Sequence, residues 1–173
     1  MHSCHDKQEI RNLMLARLKA FDKKAEESRL IVNLLLSNPH YKEAKTILAY
    51  HPMSTEPDIK PILLDPRVAL PYIADGKMHF SKAKETARSS YGFQEPKDKT
   101  PIEYDKALIL VPLLAFDDRL YRLGRGGGFY DRYLSENRER LFAVGIAYSA
   151  SYCPELPVEE HDQRLDLVIS ANR

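Results

Sequence analysis

Residues 108–134 read LILVPLLAFDDRLYRLGRGGGFYDRYL. The stretch opens with an apolar run, 108–111, that ends at Pro112 and predicts a buried strand. Four of the chain's seven glycines then fall within the five positions 124–128, and a helix is predicted over about 130–137. A strand, a glycine-rich turn and a helix in this order are typical of an α/β domain.

The glycine run predicts an anion site. Bare backbone N–H groups at a loop-to-helix junction can hold a phosphate, and Arg122 and Arg125 add planar, positively charged groups that suit it. Asp131 could hold a phosphate-bound magnesium ion through oxygen. The alternative is a flexible turn that opens a surface helix. The phosphate interpretation is favoured because flexibility alone needs no flanking arginines.

Two common nucleotide motifs are excluded by the residue after the run. A Walker A loop needs Gly-Lys followed by Ser or Thr, whereas Gly128 is followed by Phe129. The dinucleotide fingerprint G-x-G-x-x-G would need a glycine at that same position. A nicotinamide-dependent dehydrogenase is therefore poorly supported.

Helix and strand patterns alternate along the rest of the chain. Helices are predicted over 6–20, 23–36 and 57–64, the first of them capped by Asp6. Apolar strands are predicted at 46–50, 68–70, 78–81, 107–111, 142–147 and 165–169. The alternation predicts an α/β fold with a largely parallel sheet covered on both faces. Residues 82–106 are polar and turn-rich and are expected to form a long surface loop, which could act as a lid.

Length and composition limit the class of protein. A chain of 173 residues is expected to form one domain, 1–173. A formal net charge of +1 argues against nucleic acid as a partner. Two cysteines favour a reducing, cytoplasmic setting, and no apolar stretch predicts a signal peptide or a membrane span. His2, Cys4 and His5 are interpreted as a frayed terminus rather than a metal site, because no second cluster completes them.

Further candidate side chains each have an ordinary alternative. Lys7 and Arg11 share one helix face and could flank an anion, or form a solvated basic face. Glu56, in the segment HPMSTEPD that begins at His51, follows a predicted strand and could bind an amidine-like edge with both oxygens. It could equally be an acid interacting with a helix dipole.

Two further groups of residues, one acidic and one aromatic, also allow two interpretations each. Asp162 and Asp166 could join Asp131 in a magnesium site, or could lie in a solvated turn. The aromatic pair in 91–93 could face a cleft or pack in the core.

Residues 108–134 together resemble the signature of the 5-formyltetrahydrofolate cyclo-ligase family, also called methenyltetrahydrofolate synthetases. The resemblance lies in the order of an apolar strand, Val-Pro, Ala-Phe-Asp, Tyr-Arg-Leu-Gly-Arg, the glycines, an aromatic pair and Asp131. It extends more weakly along nearly the whole chain, at Lys7, Arg11, Glu56, Tyr91-Gly92, Glu95-Pro96, His161-Asp162 and Asp166.

The resemblance implies a fold and a reaction. The fold would be a three-layer α/β/α Rossmann-like sandwich. ATP would phosphorylate the formyl oxygen of 5-formyltetrahydrofolate, and nitrogen 10 would close the ring to give 5,10-methenyltetrahydrofolate, ADP and phosphate, with Mg²⁺ required. The partners would be these small molecules alone, and we expect a monomer.

The resemblance also implies roles for individual residues. ATP would be bound by Lys7, Arg11, Arg122, Leu123, Gly124, Arg125, Gly126, Gly127, Gly128, Phe129 and Tyr130, with Arg125 and Lys7 as the catalytic pair. The folate would contact His51, Glu56, Gly126, Gly127, Gly128 and Tyr130. Magnesium would be bound by Asp131 and Asp162.

Two positions depart from the family pattern. Ser151 stands nearest to where a glutamine is expected, and Tyr72 stands where the family often has arginine after proline. Both put details of the substrate pocket in question. A nucleotide- or folate-binding protein without turnover stays an alternative. An RNA-contacting arginine-glycine segment is a third, disfavoured by the near-neutral charge.

Overall fold

The computed structural model describes residues 6–82 and 84–172. The described helices are α1 (Lys7–Ala20), α2 (Lys24–Ser37), α3 (Pro39–Glu43) and α4 (Phe129–Asn137). The strands are β1 (Ile47–Leu48), β2 (Val68–Ala74), β3 (Lys77–Ser81), β4 (Thr86–Arg88), β5 (Gln94–Pro96), β6 (Ala107–Pro112), β7 (Ala115–Phe116), β8 (Arg122–Leu123), β9 (Leu141–Ala147) and β10 (Leu167–Ser170). Short 3-10 helices cover Lys60–Leu64, Arg138–Arg140 and Ser149–Ser151.

The central sheet has six strands in the order β10-β9-β6-β1-β2-β3. All neighbours are parallel except β3, which returns antiparallel to β2 at one edge. The predicted α/β class with a mostly parallel sheet is confirmed. From β1 the chain moves to one side to form β2 and β3, and later to the other side to form β6, β9 and β10. The strand order therefore reverses between β1 and β6, which is where α/β sheets open a crevice for ligands.

Side chains of the central strands point alternately to two separate apolar cores, as the period of a strand requires. Leu108 and Leu110 of β6 pack with α1, α2 and α3 on one face. Ile109 and Val111 pack with Leu134 of α4 on the other. Helices thus cover both faces, as the sequence predicts.

The structure refines several element boundaries. Asp6 caps α1 by accepting a hydrogen bond from the Glu9 N–H at 2.8 Å, as predicted. Asn38 ends α2 and also caps α3, where its Oδ1 accepts from His40 N–H at 2.9 Å. The segment predicted as a helix over 57–64 is a 3-10 helix that starts at Lys60.

The polar segment 82–106 is not the irregular loop that its composition predicts. Its described part contains the antiparallel hairpin β4–β5, with its turn at 89–93. The predicted terminal cluster of His2, Cys4 and His5 lies outside the described residues. Among the helices described, none is long and apolar enough to cross a membrane.

Candidate active site

A cavity of about 350 Å³ opens at the carboxyl ends of β1 and β6. Tyr50 and His51, just after β1, form part of its wall, and Pro112 and Leu113 at the end of β6 form another part. The cavity therefore lies where the strand order reverses. Most residues singled out from the sequence converge here from segments that are far apart in the chain.

A hairpin anchored by Asp117 positions the arginine that precedes the glycine run. Asp117 is 1% exposed, between β7 and β8. Its Oδ1 accepts from the backbone N–H groups of Arg119 and Tyr121, and its Oδ2 accepts from the Arg119 guanidinium and the Leu156 N–H. The Ala-Phe-Asp motif thus fixes the turn that delivers Arg122 to the cavity.

The glycine run lines the cavity and needs the absence of side chains at two of its positions. A Cβ at Gly124 would lie 2.6 Å from Nη1 of Arg122, which is closer than nonbonded atoms approach. Gly128 caps α4 with a φ of 71°, a left-handed conformation that glycine adopts at little cost. The first N–H groups of α4 then stand at the cavity without a capping side chain, as an anion site requires.

Arg122 is a buried cation that faces this site. Its side chain is 5% exposed, and Nη2 lies 3.7 Å from Oδ1 of Asp131. Its Nε is buried and has no hydrogen-bond partner within residues 6–82 and 84–172. Burial lowers the pKa of Arg122, and the Asp131 carboxylate partly offsets this effect. An incomplete set of partners around a buried guanidinium favours an anionic ligand.

Lys7 and Arg11 do lie on one face of α1, and that face borders the cavity rather than open solvent. The Arg11 Nε donates to the carbonyl of Gly124 at 2.9 Å. Lys7 Nζ contacts Oδ2 of Asp162 at 2.6 Å. The basic pair therefore connects the amino-terminal helix to both the glycine run and the acidic segment.

Glu56 contacts Arg125 in the wall of the cavity. The Glu56 carboxyl group is buried, and its Oε1 lies 3.3 Å from Nη2 of Arg125, which also donates to Thr55 Oγ1 at 2.7 Å. Burial raises the pKa of Glu56, and Arg125 offsets part of that rise. Glu56 does not begin a helix, since the next helical residue is Lys60, so the helix-dipole alternative is wrong.

The two acids expected to bind magnesium both line the cavity. Oδ1 of Asp131 accepts from the N–H of Gln163, the residue after Asp162. Burial alone would raise the pKa of Asp162, but hydrogen bonds from the Glu159 N–H and from Lys7 hold it below its usual value. Asp162 is thus ionised near neutral pH.

These acids fit magnesium only together with a ligand. No group of three or more His, Cys, Asp or Glu side chains within 6–82 and 84–172 could hold a metal ion. Magnesium commonly takes one or two carboxylates and completes its shell with water and phosphate oxygens. Asp131 and Asp162 match that requirement, and no larger set of protein ligands is needed.

Asp166 does not line this cavity, so of the two possibilities open for it, a magnesium ligand or a residue of a solvated turn, the first is not supported. Its Oδ2 accepts from the Ala143 N–H at 2.7 Å, and its Oδ1 pairs with Arg138 at 2.9 Å. Both contacts tie the start of β10 to β9 and its preceding turn. The residue is held in a structural role outside the cavity wall.

Three other residues considered from the sequence also lie outside the cavity wall. The Leu123 side chain is 2% exposed and packs in the core against α1–α3. Tyr72 stacks on His79 at 5.4 Å, whereas its strand neighbours Pro71 and Ile73 line the cavity. Ser151 is buried in the 3-10 helix. The departures at 72 and 151 therefore do not alter the cavity's surface.

An apolar wall of the cavity was largely missed from the sequence. It is formed by Tyr50, Met53, Pro71, Ile73, Met78, Tyr91, Phe93, Pro112 and Leu113. Tyr91 and Phe93 lie in the turn of the β4–β5 hairpin. The rings of Tyr91 and Phe129 are nearly perpendicular, with their centroids 5.4 Å apart. The aromatic pair in 91–93 does face the cleft. Alternation in β2 could have indicated Pro71 and Ile73, but pairing with β3 could not be read from sequence.

Two kinds of group line the one cavity. The first kind comprises cations, bare N–H groups and two carboxylates, and the second comprises a buried carboxylate with apolar and aromatic groups. The first suits a polyphosphate with a divalent cation, and the second suits a flat ring with N–H groups. Fold and cavity together define an α/β protein whose cavity is lined by groups that suit an anionic and a heterocyclic ligand.

Comparisons with known proteins agree with this class. The model of the 5-formyltetrahydrofolate cyclo-ligase family matches residues 3–171. The 5-formyltetrahydrofolate cyclo-ligase of Escherichia coli K12 is 30% identical over 155 residues, covering 80% of this chain and 85% of that protein. The probable 5-formyltetrahydrofolate cyclo-ligase of Schizosaccharomyces pombe is 27% identical over 173 residues, covering 85% of each.

A solved structure extends the similarity to three dimensions. The NMR structure of Aquifex aeolicus 5,10-methenyltetrahydrofolate synthetase matches with a TM-score of 0.79 and 26% identity, covering 96% of this chain and 90% of that one. The chain belongs to the 5-formyltetrahydrofolate cyclo-ligase family, a family of ligases.

Proposed function

We propose that this protein catalyses the ATP- and magnesium-dependent cyclisation of 5-formyltetrahydrofolate to 5,10-methenyltetrahydrofolate, with release of ADP and phosphate. The observation that carries the proposal is that one cavity holds both an anion site and a buried carboxylate. The glycine run and Arg122 line it together with Glu56 and the apolar wall. Such a cavity can hold ATP and a folate ring with their reacting ends together.

The reaction needs positioning more than a nucleophilic side chain. The formyl oxygen attacks the γ-phosphorus of ATP and ADP leaves, which gives a phosphorylated formyl intermediate. Nitrogen 10 then attacks the activated carbon and loses its proton, and the C–O bond breaks to release phosphate. Phosphoryl transfer of this kind is accelerated mainly by alignment and by cations around the transferring group.

The chain's own cations and N–H groups supply that environment. The N–H groups at the start of α4 and the buried guanidinium of Arg122 hold phosphate oxygens. Lys7 and Arg11 complete the binding of ATP from the side of α1. When bound, magnesium would lower the charge repulsion between the phosphates and the attacking oxygen, with Asp131 and Asp162 as its protein ligands.

Glu56 and Arg125 are proposed to couple the two substrates. Arg125 Nη2 lies 3.3 Å from Glu56 Oε1. The amino and ring N–H groups of a pterin would replace the guanidinium at this carboxylate. Arg125 is then free to turn to the transferring phosphoryl group, so that folate binding completes the set of catalytic cations.

The folate would fill the opposite side of the cavity. Its ring would lie among Glu56, His51 and Tyr130, with Gly126, Gly127 and Gly128 between it and ATP. The turn of the β4–β5 hairpin adds Tyr91 and Phe93 to this wall, and closure of the hairpin over the folate stays a prediction. We further propose that the enzyme acts as a cytoplasmic monomer.

The proposal is tested by mixing the purified chain with 5-formyltetrahydrofolate, ATP and Mg²⁺ and following the absorbance of the methenyl product. We expect product only when all three are present. Failure of folded protein to form product, while it still binds ATP, would favour a binding protein without turnover.

A further inference from the structure

Tyr50 carries a buried hydroxyl group that the fold does not use. The residue follows β1 and is 4% exposed, with its ring packed in the core beside α1–α3. Its Oη is buried and has no hydrogen-bond partner among the described residues. A phenylalanine would fill the same apolar space without leaving a polar atom unpaired. An unpaired buried hydroxyl group is therefore unexplained by packing.

Tyr50 is one of the residues that line the cavity, together with Glu56 and Tyr130. The negative charge of Glu56 adds to burial in raising the pKa of the Tyr50 phenol. Tyr50 and Glu56 lie at the two ends of one short segment that leaves β1 and turns through the hydrogen bond from Glu56 N–H to the Met53 carbonyl. The hydroxyl group of Tyr50 and the carboxyl group of Glu56 thus lie on one short, hydrogen-bonded segment, 50–56.

The protonation states of the two groups are complementary. Burial raises the pKa of Tyr50 well above its ordinary value, so the phenol keeps its proton and can donate. A carboxylate at Glu56 accepts only. The pterin of a folate has the matching pattern, because its amino group and ring N–H stand beside a ring carbonyl oxygen.

We propose that the Tyr50 hydroxyl group donates a hydrogen bond to the ring carbonyl oxygen of the pterin while Glu56 accepts from the adjacent N–H groups. This inference rests on the proposed function. It makes Tyr50 a substrate-binding residue that fixes the ring's orientation, with no part in phosphoryl transfer. The hydroxyl group, which has no partner among the described residues, would gain one when the folate binds.

The test compares Tyr50→Phe with the unmodified protein on two substrates. One is 5-formyltetrahydrofolate, and the other is its 4-thioxo counterpart, which keeps the N–H groups but replaces the carbonyl oxygen by sulfur, a weak acceptor. The variant should raise the KM of the oxo substrate about 3- to 10-fold, as loss of one neutral hydrogen bond predicts, with kcat within about twofold. The KM of the thioxo substrate should change by less than about twofold.

Tyr72→Phe is the matched control, because it removes the hydroxyl group of another buried tyrosine that faces away from the cavity. It should leave both KM values unchanged. Thermal unfolding without ligand separates binding from folding: Tyr50→Phe should be at least as stable as the unmodified protein, since no protein hydrogen bond is lost.

Three results would overturn the inference: an unchanged KM in Tyr50→Phe, equal changes for both substrates, or a lower unfolding temperature. If the unmodified protein itself does not turn over 5-formyltetrahydrofolate, the proposed function fails instead.

Discussion

Individual side chains in the cavity combine burial with incomplete pairing. In the part of the chain that the structure describes, Arg122 has a buried Nε without a partner, and Glu56 is a buried carboxyl group beside a partly exposed arginine. Both conditions are costly and would be relieved by ligands of opposite charge or with matching hydrogen bonds. Replacement of such a residue should therefore lower activity without lowering the stability of the fold.

Arg125 and Asp131 should be needed for turnover but not for folding. Arg125→Ala removes the cation that is proposed to turn to the transferring phosphoryl group when folate binds, and Asp131→Asn removes charge expected at magnesium. Each should lower kcat/KM by about 10²- to 10³-fold, the usual effect of removing one group that stabilises the transition state. Arg88→Ala and Asp105→Asn, at exposed positions outside the cavity, are matched controls. Full activity of both site variants, measured by the methenyl absorbance, would contradict these roles.

Glu56 should make stability depend on pH. Its pKa is raised by burial from the ordinary 4.5. Between the unfolded and the folded pKa the folded state binds more protons, so the free energy of unfolding falls as pH rises through that window and stays lower above it.

Glu56→Gln removes this titration. The variant should therefore be more stable than the unmodified protein at neutral pH, with the gain vanishing below about pH 4.5, while turnover is lost. Urea unfolding across this pH range is the measurement, and a variant that is less stable at neutral pH would show that the pair with Arg125 outweighs burial.

At the level of the elements, the β7–β8 hairpin and the glycine run after it together fix the position of Arg122. The network around Asp117 fixes the turn, and Gly124 leaves the space that the Arg122 guanidinium fills. Replacement of Gly124 should therefore weaken ligand binding at the anion site more than it lowers the stability of the fold.

Gly124→Ala tests this arrangement. Its Cβ would meet Nη1 of Arg122 at 2.6 Å, and since Arg122 is buried the guanidinium must shift. Overpacking of this kind typically lowers the free energy of unfolding by about 1–3 kcal/mol. Because the displaced guanidinium would no longer meet the phosphate, we expect the KM for ATP to rise about tenfold or more. Gly76→Ala, at a φ of 72° with open space around it, is the control: it should lower the unfolding temperature and leave the KM for ATP unchanged. Equal KM values for the two variants would contradict the role of Gly124.

The elements that sequence predicts well are those fixed by local pattern. The cap of α1, the apolar strand β6 and the helix after the glycines follow from residues next to each other in the chain. The hairpin β4–β5 was missed because its segment is polar and its pairing depends on packing against the rest of the molecule. Leu123 shows the same limit: it stands within the glycine signature, yet strand pairing turns its side chain into the core.

In the whole molecule, the reversal of strand order between β1 and β6 brings distant segments to one cavity. Lys7 and Asp162 are 155 residues apart in sequence and form a contact of 2.6 Å there. The sequence indicated both as candidates, but only the topology shows that they meet, and it separates Asp162 from its neighbour Asp166. The expectations of a single domain and a monomer stay predictions.

The proposed function requires this cavity to couple ATP cleavage to folate cyclisation. The most direct measurement follows ADP release and methenyl absorbance in the same reaction, with 5-formyltetrahydrofolate and Mg²⁺ varied independently. We expect one ADP for each methenyl product, and no release of ADP above background without the folate. Methenyl formation without ATP, or ADP release that does not depend on the folate, would contradict it.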